Sequence, residues 1–192
     1  SLEHATRSRA LIESSWYQDH WGSKFPLLKD QNVKSFFQNS KSGYRQSTSV
    51  VSKTVGKGGS IIIIDDPNDP GDLSYIKREN VINWWTQRMS TRSNNPANDC
   101  RIVVQQRTHE NDLTGYIRKN DTEDDWVELV LPLEFEKSRK CITVPLGMNK
   151  DIWEDPRTKE GELLTPLRFG SKQVSELKRS LGSYGYAGQC QQ

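Results

Sequence analysis

Apolar residues gather in three runs along this chain, Ile61 to Ile64, Ile102 to Val104 and Val127 to Leu133, and are sparse elsewhere. Runs of four to eight apolar residues bounded by turn formers predict buried strands, and the unbroken isoleucines of the first predict a strand covered on both faces of a parallel sheet. The strands expected are Ile61 to Ile64, Arg101 to Gln106 and Trp126 to Leu131, the last ending at Pro132. Helical periodicity lies between and around them. Ala5, Ile12 and Trp16 share one face of a helix over Ala5 to His20, which stops before Gly22 and Pro26. Ile76, Val81, Trp84, Trp85 and Met89 form the apolar stripe of a second helix that Asp72 or Ser74 would cap. A third covers Asn111 to Lys119, and a last one runs from Ser171 to Leu181 with Gly182 as its stop.

Ahead of the first run, Val33 to Gln38 and Tyr44 to Val51 alternate well enough to form a hairpin around Asn39-Ser40-Lys41-Ser42-Gly43. A short hairpin is also expected around Cys141 to Val144. The stretch Asn149 to Pro166, rich in Pro, Gly and charge, is the best linker candidate. Strands alternating with helices define an α/β sheet with parallel members.

Composition narrows the class only partly. Thirty-three per cent of the 192 residues are hydrophobic and 27% charged, and the clustering of the former predicts a folded chain with long loops. No stretch approaches the ~20 apolar residues that cross a bilayer, so a soluble, intracellular protein is expected. Cys100, Cys141 and Cys190 have neither disulfide-framework nor zinc spacing and read as ordinary thiols. A net charge of +2 leaves nucleic acid open without announcing it.

The sharpest chemical signal is Asp65-Asp66, delivered at the C-terminal end of the isoleucine strand, where open α/β sheets bind ligands. In nucleotide hydrolysis, one such carboxylate holds Mg²⁺ and the next orients or deprotonates the attacking water. The plainer alternative is that Asp65-Asp66-Pro67 only ends a strand and opens a turn. Gly56-Lys57-Gly58-Gly59-Ser60 has glycines and a lysine, but it runs into a strand rather than a helix and lacks the G-x-x-x-x-G-K-[ST] spacing. It reads as a surface turn, with Lys57 a candidate contact to DNA or a neighbouring subunit.

Behind the second strand lies the polar cluster Gln105 to Asp112. A side chain here can sense a terminal phosphate, and Arg107 can stabilise a transferring phosphoryl group. Equally, Thr108 or Asn111 caps the next helix while Arg107 pairs with an acid. His109, Glu110 and Asp112 do not share a helical face, which disfavours a metal site. Trp84 and Trp85 could stack on bases, but their spacing with Val81 and Met89 makes packing the first expectation.

Taken in order, Ser14-Ser15-Trp16-Tyr17-Gln18, Ile61 to Pro67, Asn83-Trp84-Trp85 and Gln105 to Gly115 resemble the large terminase subunit of tailed phages and prophages. The tail from Leu181 to Gln192 resembles the stretch leading towards that family's nuclease domain. The resemblance implies an additional-strand, RecA-like P-loop NTPase sheet with helices on its faces, in which Ile61 to Asp66 is the Walker B strand. By the same resemblance Asp65 binds the metal and nucleotide, Asp66 activates water, and Gln106 and Arg107 couple hydrolysis to movement, with Gln106 also contacting nucleotide. ATP and Mg²⁺ would be the cofactors of the complete protein.

Double-stranded DNA, a portal protein, a small terminase subunit and a homo-oligomeric ring would be the partners, in the cytoplasm of a bacterial host. Residues 1–148 would be the C-terminal portion of the ATPase domain, and 149–192 a linker and helix. The chain departs from the family by having no Walker A loop before Asp65, no clustered nuclease acids, and aspartate at 66 where glutamate is usual. An internal fragment that hydrolyses almost no ATP alone is therefore expected. Two other classes stay open: a metal-dependent nuclease using Asp65, Asp66 and Glu79, and a non-catalytic chain, either a module that binds DNA or another packaging protein or a decayed prophage remnant.

Overall fold

A computed structural model describes residues 2–50, 57–71, 74–121, 126–145 and 151–191. The chain divides into two compact units, Ser1–Gly58 and Gly59–Gln192. Gly56, Asp72 and a boundary at 148/149 lie outside the described residues.

The first unit starts with helix α1 (Leu2–Glu13), a single turn α2 (Ser15–Tyr17) and a wider turn over Gln18–Gly22. The uninterrupted helix expected from Ala5 to His20 breaks at Ser14. Its hydroxyl donates to the Leu11 carbonyl at 2.6 Å and accepts from the Tyr17 amide at 3.3 Å, so a new helix start is capped inside the old one. Ala5 is buried as expected, but Trp16 is exposed and packs its ring against His20 and Trp21.

An antiparallel sheet follows, in the order β1 (Leu27–Val33), β2 (Phe36–Asn39) and β3 (Tyr44–Gln46). The β2–β3 hairpin turns where expected, ordered by the Asn39 side chain, which accepts from the Lys41 and Gly43 amides at 2.9 and 3.0 Å, but its second strand, expected to reach Val51, ends at Gln46. The strand expected at Val33 to Gln38 is split by a turn at Lys34-Ser35. Its neighbour β1 is too polar to show a period-2 pattern and went unseen in the sequence.

The second unit is built on a parallel pair, β4 (Ile61–Asp65) and β5 (Cys100–Val104), in register from Ile61 opposite Cys100 to Asp65 opposite Val104. Helix α3 (Tyr75–Trp84), extended by a wider turn over Trp85–Met89, connects them as a βαβ crossover. Val81 and Trp85 are buried, with Trp85 against Trp126 and under the Arg101 guanidinium. The core-packing expectation thus holds for Trp85. Trp84 is half-buried, and Ile76, expected in the same stripe, is exposed.

The chain is therefore a mixed α/β protein with a small parallel sheet. The isoleucine strand is not covered on both faces, however: Ile64 is buried, while Ile61 and Ile63 are 65% and 64% exposed. Parallel register places Ile102 and Val104, also exposed, on that open face.

The third expected strand, Trp126 to Leu131, is irregular chain. Just beyond it, residues 133–135 pair instead with 161–164 through the amides of Phe135, Gly161 and Leu164. Between them sits a buried ion pair. Asp155, 1% exposed, accepts from Arg157 Nη2 at 2.6 Å and Nε at 3.0 Å, while Arg157 Nη1 donates to the Pro132 carbonyl at 2.8 Å. The Arg157 guanidinium also lies over the Phe135 ring. This pairing holds the Asp155 carboxyl below its ordinary range, against the opposing effect of burial.

The expected linker at 149–166 is consequently folded chain from residue 151 onwards. β6 (Ile142–Thr143) is the expected short strand, but its partner is β7 (Trp153–Glu154) from that same stretch.

Helix α4 (Leu113–Asn120) lies where a helix was expected, and α5 (Ser171–Tyr186) is interrupted at Gly182, whose φ of 66° and ψ of 176° make the anticipated stop. The chain then turns helical again and continues into a wider turn over Ala187–Gln191. This end is anchored: Tyr186 donates to Glu134 at 2.6 Å, Lys178 pairs with the same carboxylate at 2.7 Å, and the Leu133 amide donates to the Cys190 carbonyl at 2.7 Å. Among the described residues no helix is long and apolar enough to cross a membrane.

Candidate functional site

The site takes shape where β4 and β5 end side by side. Asp65 is the last residue of β4, exposed, opposite Val104. At Asp66 the backbone turns with φ of 43°, a left-handed conformation that aspartate tolerates better than most residues. The neighbouring strand holds that turn: the Asp66 amide donates to the Val104 carbonyl at 2.9 Å, and its Oδ1 accepts from the Gln106 amide at 3.3 Å. Gln106 thus reaches the acids through its main chain. The structure brings Asp66 and Gln106 together, and register places Asp65 beside the end of β5.

Two residues later Asn68, buried, accepts the Leu113 amide on its Oδ1 at 3.1 Å. Leu113 opens α4, so the loop after β4 supplies a partner for a helix-start amide that has none within the helix. Asp112 serves another. Its Oδ1 accepts from the Gly115 amide at 2.9 Å, and its Oδ2 from the Thr108 and His109 amides at 3.1 and 3.4 Å. The Arg107 Nε completes the set at 2.9 and 3.1 Å.

Asp112 is therefore the cap, rather than Thr108 or Asn111, and Arg107 does pair with an acid. The sequence carried the signal: an aspartate immediately before the apolar pair Leu113 and Ile117 is a helix start. Gly115 is fixed for a steric reason, since a Cβ there would overlap the Glu110 carbonyl. Asn68 had no such signal, because its partner lies 45 residues away.

Gln105 points its side-chain amide inward, where neither atom has a hydrogen-bond partner. His109 accepts the Asn111 amide on Nδ1 at 3.0 Å. With Asp112 consumed by four donors, His109, Glu110 and Asp112 do not form a metal site. No group of three His, Cys, Asp or Glu among the described residues could hold a metal ion. Asp65, Asp66 and Glu79 thus do not gather as a nuclease centre would require. Two adjacent exposed carboxylates do suit Mg²⁺, which takes one or two protein carboxylates and completes its shell with water and substrate phosphate.

The loop after β5 also meets the chain's end. Tyr184 Oη donates to the Thr108 carbonyl at 3.3 Å, and Gly188 approaches Arg107 so closely that a Cβ would lie 2.6 Å from its carbonyl oxygen. A cleft of about 320 Å³ lies there, lined by Pro70, Arg107, His109, Glu110, Tyr184 and Gln189 among others.

A scan against protein-family models finds none that matches this chain, and a search of curated proteins finds no match either.

Proposed function

We propose that the second unit is the metal-binding and water-orienting half of a nucleotide-hydrolysing α/β domain. Within that class, the reading favoured by the resemblance stated above is the RecA-like, additional-strand ATPase of a phage large terminase subunit, which couples ATP hydrolysis to movement of double-stranded DNA into a procapsid. A portal protein, a small terminase subunit and further copies of the chain would be its partners. The observation that carries the proposal is the pair Asp65-Asp66 at the C-terminal end of β4, with Asp66 bonded to the amide of Gln106 on the adjacent parallel strand.

Asp65 would hold Mg²⁺ with ATP, and the metal would supply neutralisation of charge on the phosphates. Asp66, braced by one amide, would orient the attacking water. Gln106 shares that brace, so a change at the phosphate would reach the β5 loop through it. Arg107 is anchored at Nε and so has a guanidinium already oriented, which lowers the entropy lost when it engages charge.

ATP turnover tests this. The chain as it stands and one carrying a phosphate loop ahead of it would be assayed with Mg²⁺, each with and without Asp65→Ala. Turnover only in the longer form, abolished by the substitution, supports the proposal. Nucleotide binding by neither form refutes it.

A further inference from the structure

Among the described residues of the first unit, Ala5 and Phe37 are the only fully buried apolar side chains. Much of the remaining apolar surface borders an open groove of about 310 Å³, lined by Ile12, Tyr17, Phe25, Leu27, Phe37 and Arg45 among others. Phe37 and Arg45 are opposite one another in the register of β2 and β3, so they share one face of the sheet. Phe25, at the groove's margin, is 40% exposed. The aromatic surface continues beyond the groove: Tyr17 packs ring to ring with Trp21 at 5.1 Å, and Trp21 with the exposed Trp16 at 5.2 Å.

Arg45 is the one charged residue in this lining. It is half-buried, its Nη1 donates to the Ser47 hydroxyl at 3.0 Å, and among the described residues no carboxylate pairs with it. A guanidinium set beside apolar walls is partly stripped of water, so a carboxylate brought to it gains more than it would in bulk solvent. The charge of the whole unit favours such a visitor. Residues 1–58 hold nine Lys and Arg against four Asp and Glu, and two of those acids are already engaged, Glu3 by Arg7 and Glu13 by Arg9. A field of this sign draws in an acidic chain and repels a second basic unit.

We propose that this groove docks an acidic peptide segment of a partner protein, seating one apolar side chain against Phe37 and a neighbouring carboxylate on Arg45. The groove is at the small end of the roughly 300–1,000 Å³ typical of ligand pockets, and its exposed margin suits an anchoring side chain better than an enclosed small molecule. Its composition fits the same use, because binding energy at protein interfaces concentrates on tryptophan, tyrosine and arginine. A nucleic acid would satisfy Arg45 but has no aliphatic side chain to offer the apolar wall. The inference concerns the first unit and stands without the ATPase reading.

The test is selection of a displayed random-peptide library on the immobilised full chain, followed by fluorescence anisotropy of the best selected peptide. Peptides carrying Asp or Glu within a few positions of Leu, Ile, Phe or Trp are expected. Arg45→Gln should weaken their binding roughly tenfold or more, the loss that follows removal of a hydrogen bond to a charged group. Phe25→Ala, at an exposed position the fold does not depend on, should cost about fivefold or more. Arg45→Lys should recover part of the affinity that Arg45→Gln loses. Lys34→Ala removes the same charge from an exposed turn and should change affinity by no more than about twofold at ~0.15 M salt, where such charges are screened. Enrichment of no peptide, selected peptides without acidic residues, or equal losses with Lys34→Ala and Arg45→Gln overturn the proposal. So does a single-stranded oligonucleotide that binds more tightly than any selected peptide and is weakened by Arg45→Gln, or self-association in sedimentation that Arg45→Gln abolishes, since the groove would then serve nucleic acid or a second copy.

Discussion

Arg107, in the loop after β5, meets Asp112, the cap of the helix that follows, side chain to side chain, with Nε 2.9 Å from one carboxylate oxygen and 3.1 Å from the other. Asp112 has no exposed surface and answers three backbone amides besides. One carboxylate therefore shapes the loop, caps the helix and aims the arginine.

Asp112→Ala should be among the most damaging substitutions in the second unit. It strands a largely buried guanidinium and three amides, and breaking such a pair costs about 3–5 kcal/mol. Asp112→Asn keeps an acceptor oxygen and should cost less. Urea unfolding of both variants measures the order, and equal stability of Asp112→Ala and the parent would show that the network contributes nothing.

Gly115→Ala should destabilise as well, although alanine is intrinsically the better helix former by about 1 kcal/mol. The new methyl would overlap the Glu110 carbonyl, and relieving such overpacking costs about 1–3 kcal/mol, so sterics should win. A midpoint shift towards lower urea is expected, and a shift towards higher urea would mean that the 107–110 loop yields freely.

Asp155 makes a prediction about pH. Its carboxyl titrates below its ordinary value of 3.8, chiefly because Arg157 hydrogen-bonds the charged form. A group depressed on folding contributes stability that is complete above its unfolded pKa and is lost as pH falls through the folded one. Stability should therefore decline below about pH 4, and Asp155→Asn should flatten that part of the curve while lowering the plateau. Thermal melts from pH 2 to 7 would show it, and an unchanged slope in the variant would assign the acid transition elsewhere.

Gly188→Ala should loosen the chain's end without unfolding the unit. The Cβ would press on the Arg107 carbonyl at 2.6 Å, and the segment beyond the Gly182 break is short enough to move. Faster amide exchange across residues 183–191, with β4 and β5 unchanged, is the expected pattern.

These sites show how much the sequence disclosed. The Ile61 to Ile64 strand, its two acids and the Arg101 run were legible because apolar continuity and a Pro-bounded end are local signals. That β4 and β5 pair in parallel followed from the helix between them. Burial of the isoleucine strand was overestimated, since a run of four identical apolar residues has no alternation to reveal an open face.

The folded stretch at 151–166 was hidden for the opposite reason. Its order rests on Asp155, Arg157 and backbone pairing to residues 133–135, and a buried ion pair looks like surface charge until its partners are known. Asn68 was illegible because its role is defined by a helix start far along the chain. Asp112 carries a local signal, an aspartate directly ahead of the apolar Leu113, that Thr108 and Asn111 lack.

The open face of β4 and β5 has a practical bearing on handling the protein. Ile61, Ile63, Ile102 and Val104 form a contiguous exposed apolar stripe on strands that are both sheet edges. Exposed edges with apolar side chains template further strand pairing between molecules. Colloidal stability should therefore fail well before the fold does: light scattering should rise with concentration at temperatures where circular dichroism is still native, and Ile63→Lys should delay that onset.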